Sequence, residues 1–269
     1  MHRPKIIITN DDGAHAPGIH ILWRVLSQAR FADLFIVAPS AERSGCGVGI
    51  TWDKPILIQK IGWPENTPAW SVGGTPADCV KMAERVILGK KPDFIVSGIN
   101  AGSNAGRNVL HSGTIGACVE GVFRGIPGIA FSCEDGADPN YHVAEKYIVD
   151  IIKYTLENPL PKGCLLNVNF PHTAKSEVAG FRLTRQGKGR WAEDPYLHMN
   201  AETGSSYWLG GKPEEVEEEA DCDIAWLKKG YMTAVPLHVH ELTDYEMLKK
   251  RQQNFEEYFT QKELLKKRQ

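Results

Sequence analysis

The chain has 269 residues, 42% of them hydrophobic and 24% charged, with 31 Lys and Arg against 33 Asp and Glu and a formal net charge of −2. Such a length and apolar content suit one large α/β domain, or a domain with a substantial appendage, and need neither disulfides nor a structural metal to hold a core. The near-even charge balance argues against a dedicated nucleic-acid binder, which usually carries a basic surplus, and no stretch approaches the ~18–20 apolar residues of a membrane span.

In chain order, Lys5 to Thr9 reads as a buried strand ending in the turn signature Asn10-Asp11-Asp12-Gly13, and Ile19 to Ala29 has helical spacing. Leu34 to Ala38 is a second strand closed by Pro39. Thr75 to Leu88 reads as a helix with Pro76 in its first turn, and Asp93 to Ser97 as a third strand running into the Gly-rich stretch Gly98 to Gly106. A helix over Ser112 to Phe123, a strand over Gly128 to Ser132, a helix over Val143 to Leu156 and a strand over Cys164 to Phe170 follow. Strands alternating with helices predict a Rossmann-like, mostly parallel sheet with helices on both faces, which binds ligands beyond the carboxyl ends of its strands.

From about Phe181 the pattern changes. Phe181 to Gln186 and Tyr231 to Leu237 read as strands. Between them lie the aromatic stretch Trp191 to Trp208 and an acidic run, Glu214 to Asp223. The expected organisation is a core over 1–180, an arm with a return to the core over 181–243, and a charged helix over 244–269. Nothing near Met1 reads as a signal peptide, and the six cysteines form no C-x-x-C pair, so reduced thiols in a cytoplasmic protein are expected.

Four loops could carry chemistry. In Asn10-Asp11-Asp12-Gly13, neighbouring carboxylates can serve one centre only where the chain leaves the strand. Together they call for a hard cation such as Mg²⁺, Mn²⁺ or Ca²⁺, although a surface turn or cap has the same composition. Pro39 to Thr51 offers Ser44 and free backbone amides. Gly98 to Gly106 supplies Asn100 and Asn104 among glycines, yet matches neither the dinucleotide fingerprint nor the P-loop. Ser112-Gly113-Thr114 opens a helix whose N-terminus favours phosphate. The histidines His15, His111, His238 and His240 read first as structural or surface residues, with His111 foremost for a catalytic role because it adjoins that run. Trp191, Tyr196, Tyr207 and Trp208 suit packing at an interface, with base stacking as an alternative.

Together these residues resemble the SurE family, stationary-phase survival proteins that act as nucleoside monophosphate phosphatases. The similarity is carried by ITNDDG (8–13), VAP and RSG (37–45), GGTPADCV (73–80), VSGIN with the glycines and asparagine after it (96–106), HSGTIGA with EG (111–121), NVNFP (167–171), TRQG (184–187) and the residues Asp223, Gly230, Tyr231, Pro236 and Leu237. The resemblance implies one divalent ion per subunit (Mg, Mn or Ca) on Asp11, Asp12, Ser44 and Asn100. It implies phosphate binding by Asn104, Ser112, Gly113 and Thr114, and Asp11 and Asp12 as catalytic residues. It further implies 5′-nucleotidase activity, with 3′-nucleotidase activity as an extension of it, and a homodimer or homotetramer with an exchanged C-terminal β-hairpin and helix arm. No nucleic-acid or membrane partner is expected. Two positions depart from the family pattern, Ser40 where an acidic residue is usual and His111 where an aromatic is usual.

Two rivals remain at this level. An aspartyl-phosphate phosphatase wants carboxylates two apart, as in D-x-D, and these are adjacent. A non-catalytic nucleotide-binding protein would not need all four metal positions.

Overall fold

The computed structural model describes residues 3–134, 139–173, 177–191, 194–201, 204–210, 213–214, 216–217 and 219–266. Its first half alternates β1 (Lys5–Thr9), α1 (Pro17–Ala29), β2 (Asp33–Pro39), β3 (Ile58–Lys60), β4 (Ala69–Val72), α2 (Pro76–Met82), β5 (Phe94–Ala101) and α3 (Gly113–Phe123). There follow β6 (Gly128–Cys133), α4 (Tyr141–Glu145), α5 (Ile148–Glu157), β7 (Cys164–Phe170), β8 (Gly180–Leu183), β9 (Arg190–Trp191), β10 (Asp194–Ala201), β11 (Gly204–Gly210), β12 (Pro213–Glu214), α6 (Asp223–Leu227), β13 (Tyr231–His238) and α7 (Tyr245–Lys266).

A nine-stranded sheet runs in the order β3-β4-β2-β1-β5-β6-β7-β13-β8. The strands from β4 to β7 in that order are parallel, while β3 and β13 pair antiparallel with β4 and β7. Successive side chains in a strand face opposite sides, and β1 shows the consequence. Ile6 and Ile8 enter the core formed with α1, α4 and α5, whereas Ile7 enters the core formed with α2 and α3, and all three are fully buried. Both faces of the sheet are thus covered, which is why its central strands read as unbroken apolar runs.

Several elements differ from expectation. The helix predicted over Thr75 to Leu88 begins with a reciprocal capping box between Thr75 and Asp78, but ends at Met82, and Ala83–Ile87 widens into a π-helical turn. The helix predicted over Val143 to Leu156 is two helices, broken at Lys146 and Tyr147. Strands β3, at the sheet edge, and β4, beside it, were not expected. The strand predicted over Phe181 to Gln186 covers Gly180–Leu183, and with β13 it extends the main sheet past β7.

Strands β10 and β11 pair antiparallel as a separate hairpin, with Tyr196, Leu197, Met199, Tyr207, Trp208 and Leu209 all exposed. Every side chain described in α7, up to Thr260, is exposed as well. No described helix is long and apolar enough to cross a membrane.

Candidate metal and phosphate site

The site is assembled where β1 and β5, neighbours in the sheet, reach their carboxyl ends. Beyond Thr9 the chain leaves the strand in a turn closed by Asn10 Nδ2 donating to Gly13 O at 2.9 Å. The turn frees Asp11 and Asp12 from strict strand alternation. Arg43 N–H donates to Asp11 O at 2.7 Å, and that bond carries the loop bearing Ser44 to Asp11. From the other side, Ala101 N–H donates to Asp12 Oδ2 at 3.4 Å and ties the end of β5 to the same turn.

Asp11 is buried beneath the first turn of α3. The Thr114 hydroxyl donates to its carboxylate, and the backbone N–H groups of Gly113 and Thr114 are close enough to favour its charged form. Gly113 is required at that contact. A Cβ there would lie 2.8 Å from Asp11 Cβ and 2.8 Å from Cys46 Sγ, so a larger residue would push the helix off the carboxylate. Ser112 caps the helix by accepting Ile115 N–H at 3.2 Å, which leaves its hydroxyl hydrogen available to donate elsewhere.

The two carboxyls titrate abnormally for physical reasons. Burial raises that of Asp11 above its ordinary value, against the opposing hydrogen bonds from α3. Burial, followed by the neighbouring charge of Asp11, pushes Asp12 up to about 7. Adjacent acids held this way favour either a proton or a cation between them.

The donors fit a hard divalent cation. Asp11, Ser44 and Asn100 line one cleft of about 910 Å³. The Asn100 amide nitrogen is turned onto Gly102 O at 2.7 Å, so its oxygen lies on the side of Thr114, 3.3 Å from the hydroxyl oxygen. Carboxylate, hydroxyl and amide oxygens are the ligands that Mg²⁺, Mn²⁺ and Ca²⁺ select, and no group of three His, Cys, Asp or Glu that could hold a softer ion exists among the described residues.

Asn104, His111 and Ser112 also line this cleft. The described walls do not include Asp12, Gly113 or Thr114. Gly113 and Thr114 lie against Asp11, and Asp12 is held by β5. His238 pairs with Cys164 at the start of β7, the opposite end of the parallel strands from the cleft.

Residues to which the sequence assigned no role of their own hold the Gly-rich loop in place. The buried Asn169 Oδ1 accepts Asn104 N–H at 2.8 Å and the Ser103 hydroxyl at 3.2 Å. Asn169 Nδ2 donates to Asn167 Oδ1 at 3.0 Å, and Asn167 Nδ2 donates to Asn104 O at 2.9 Å. Asn104 Nδ2 in turn donates to Ser132 Oγ at 2.8 Å. The available signal was two asparagines, two apart, on one face of an otherwise apolar strand. Glu134 and Trp191 are also cleft residues; for Glu134 the sequence offers no signal.

The chain is similar to known proteins over most of its length. The family model described as Survival protein SurE matches residues 6–193. A relative named 5′-nucleotidase SurE, from Protochlamydia amoebophila, is 49% identical over 258 residues, covering 95% of this chain and 98% of its own length. Another of that name, from Caldanaerobacter subterraneus, is 39% identical over 250 residues, covering 93% and 97%. The crystal structure of the SurE protein from Aquifex aeolicus superposes with a TM-score of 0.78 at 35% identity, covering 92% of this chain and 98% of that one.

Proposed function

Because the chain belongs to the SurE family, we propose that it is a metal-dependent phosphomonoesterase, a 5′-nucleotidase that hydrolyses nucleoside monophosphates to nucleoside and phosphate. The observation that supports this is the common cleft: oxygen donors of Asp11, Ser44 and Asn100 open onto the same space as Asn104 and Ser112.

In this reading Asp11, Asp12, Ser44 and Asn100 hold one divalent ion per subunit, Mg, Mn or Ca. When bound, the ion supplies Lewis-acid chemistry that offsets negative charge on the phosphoryl oxygens. The chain's own groups do the rest. Ser112 donates its hydroxyl hydrogen to a phosphoryl oxygen, and Asn104 donates the amide hydrogen that Ser132 does not take. Asp11 or Asp12 orients the attacking water. Gly113 allows the close approach of α3, and Thr114 fixes the Asp11 carboxylate. Donors set in advance for the phosphoryl oxygens stabilise charge without reorganising during the reaction. Action on 3′-phosphates belongs to the same proposal.

The protein is proposed to act as a homodimer or homotetramer, with the exposed apolar side chains of the β10–β11 hairpin and α7 meeting a second copy. Its six free cysteines suit a reducing compartment, the cytoplasm. Phosphate release from adenosine 5′-monophosphate, with Mn²⁺ and then with EDTA, tests the activity. Turnover with the metal and its loss with chelator is expected. Absence of turnover across several divalent metals and pH values would instead favour a nucleotide-binding protein.

A further inference from the structure

The cleft continues into a second cavity of about 720 Å³, and Ser103, Asn108, Glu134 and Trp191 line both spaces. We propose that this second cavity is the nucleoside subsite, in which Trp191 stacks on the base and Glu134 accepts hydrogen bonds from the ribose hydroxyls. The inference rests on the phosphomonoesterase reading and assigns the part of the substrate that the phosphate site leaves outside.

The cavity's position and chemistry carry the assignment. A phosphomonoester whose phosphate lies beside Asn104 and Ser112 must send the rest of the molecule into open solvent or along the shared wall. The second cavity lies along that wall, and its size falls within the range of small-molecule pockets. Ile224, Leu227 and Val216 give it an apolar surface on which a planar base can lie.

Trp191 stands between the two spaces with 49% of its surface exposed. Its backbone N–H is anchored to Asn108 Oδ1 at 3.0 Å, so the ring is offered from a fixed point. Among the described residues it packs against no other aromatic ring, which leaves its faces for a ligand.

Glu134 follows directly on the carboxyl end of β6 and is partly buried. One of its oxygens, Oε2, accepts His172 N–H at 2.9 Å, and Oε1 remains for a second donor. A carboxylate and a phosphate are both acceptors and repel, so Glu134 cannot serve the phosphoryl group. The hydrogen-bond donors that every nucleoside monophosphate presents next to its phosphate are the sugar hydroxyls. Carboxylate-to-ribose hydrogen bonding is a recurring solution at the carboxyl ends of parallel strands.

The test compares kcat/KM for adenosine 5′-monophosphate and ribose 5-phosphate, which share phosphate and sugar and differ by the base. In W191A the preference for the nucleotide should fall roughly five- to a hundred-fold, carried by KM, whereas W191F should keep most of it. In E134Q the preference for adenosine 5′-monophosphate over its 2′-deoxy form should shrink toward one. An unchanged base preference in W191A, or equal losses on both substrates, would overturn the subsite; an unchanged 2′-hydroxyl preference in E134Q would remove Glu134 from it. Calorimetry with adenosine alone reads the pocket without the reaction. If the wild type hydrolyses neither ester, the enzymatic reading fails, and adenosine binding that W191A abolishes would still support the subsite.

Discussion

The buried carboxylate of Asp223 accepts the backbone N–H of Gly106 at 3.0 Å, joining the first residue of α6 to the end of the Gly-rich loop. The same carboxylate accepts Gly187 N–H at 2.7 Å, Gln186 Nε2 at 3.1 Å and Ile224 N–H at 2.8 Å. Gly106 has φ +63°, and a Cβ there would lie 2.2 Å from Gly189 O, so the two segments meet as bare backbone. Asp223→Ala strands several buried donors at once. A loss of about 3–5 kcal/mol is expected at roughly 1–3 kcal/mol per orphaned group, read as a lowered Tm in scanning calorimetry.

Asn169 performs the corresponding task from β7. Asn169→Ala removes the acceptor of Asn104 N–H and of the Ser103 hydroxyl in a fully buried setting. The expected cost is about 2–4 kcal/mol. Because the displaced loop carries Asn100 and Asn104, kcat for phosphate release should fall at least about ten-fold, which corresponds to roughly 1.4 kcal/mol in the barrier. Steady-state kinetics and thermal melting on the same variant check both halves.

A second charged network lies away from the cleft and should affect stability alone. Glu120 accepts Lys81 Nζ at 2.6 Å and Arg124 Nε at 2.6 Å, and Arg124 also reaches Glu84. These contacts tie α3 to α2 and its π-helical extension. Glu120→Ala takes the carboxylate from Lys81 and leaves Arg124 with Glu84 alone, at an expected cost of about 1–3 kcal/mol. Denaturant midpoints should fall while kcat on adenosine 5′-monophosphate stays within about two-fold of wild type.

The acid pair gives a pH signature. In the metal-free chain the Asp12 carboxyl is raised from 3.8 to about 7, and that of Asp11 is raised too. A carboxyl raised on folding holds its proton more tightly in the native state. Its stabilising contribution is complete below the unfolded value and is lost as pH climbs through the folded one. Metal-free protein should therefore lose stability between about pH 4 and pH 7 from this source. A divalent ion competes with that proton, so the rise in Tm on adding saturating Mn²⁺ should be larger at about pH 8 than at about pH 5. Melting curves with Mn²⁺ and with EDTA at both pH values measure it, and a shift independent of pH would contradict the linkage.

Much of the parallel core was legible because strands buried on both faces are short apolar runs bounded by turn residues, as at Ile6 to Ile8. Strands β3 and β4 were not, since Ile58–Lys60 and Ala69–Val72 are short, lie toward one sheet edge and mix polar with apolar residues. In the π-helical turn after Met82, Glu84 points inward to Arg124, a contact 40 positions away that local spacing cannot register. In the site, the loops after β1 and β5 announced themselves through Asp, Asn and Gly. Asn167, Asn169 and Asp223 matched the family pattern but carried no role in the sequence, because their purpose is to hold other backbone segments, and those partners are visible only once the chain is folded.

The central claim is that Asp11, Asp12, Ser44 and Asn100 hold one divalent ion beside the phosphate site. Calorimetric titration of Mn²⁺ into metal-free wild type and into the Asp12→Asn variant addresses it most directly. The account predicts a single ion per chain for the wild type and binding weakened at least about ten-fold in the variant, a difference of roughly 1.4 kcal/mol. Equal affinity and stoichiometry in the two proteins would contradict it.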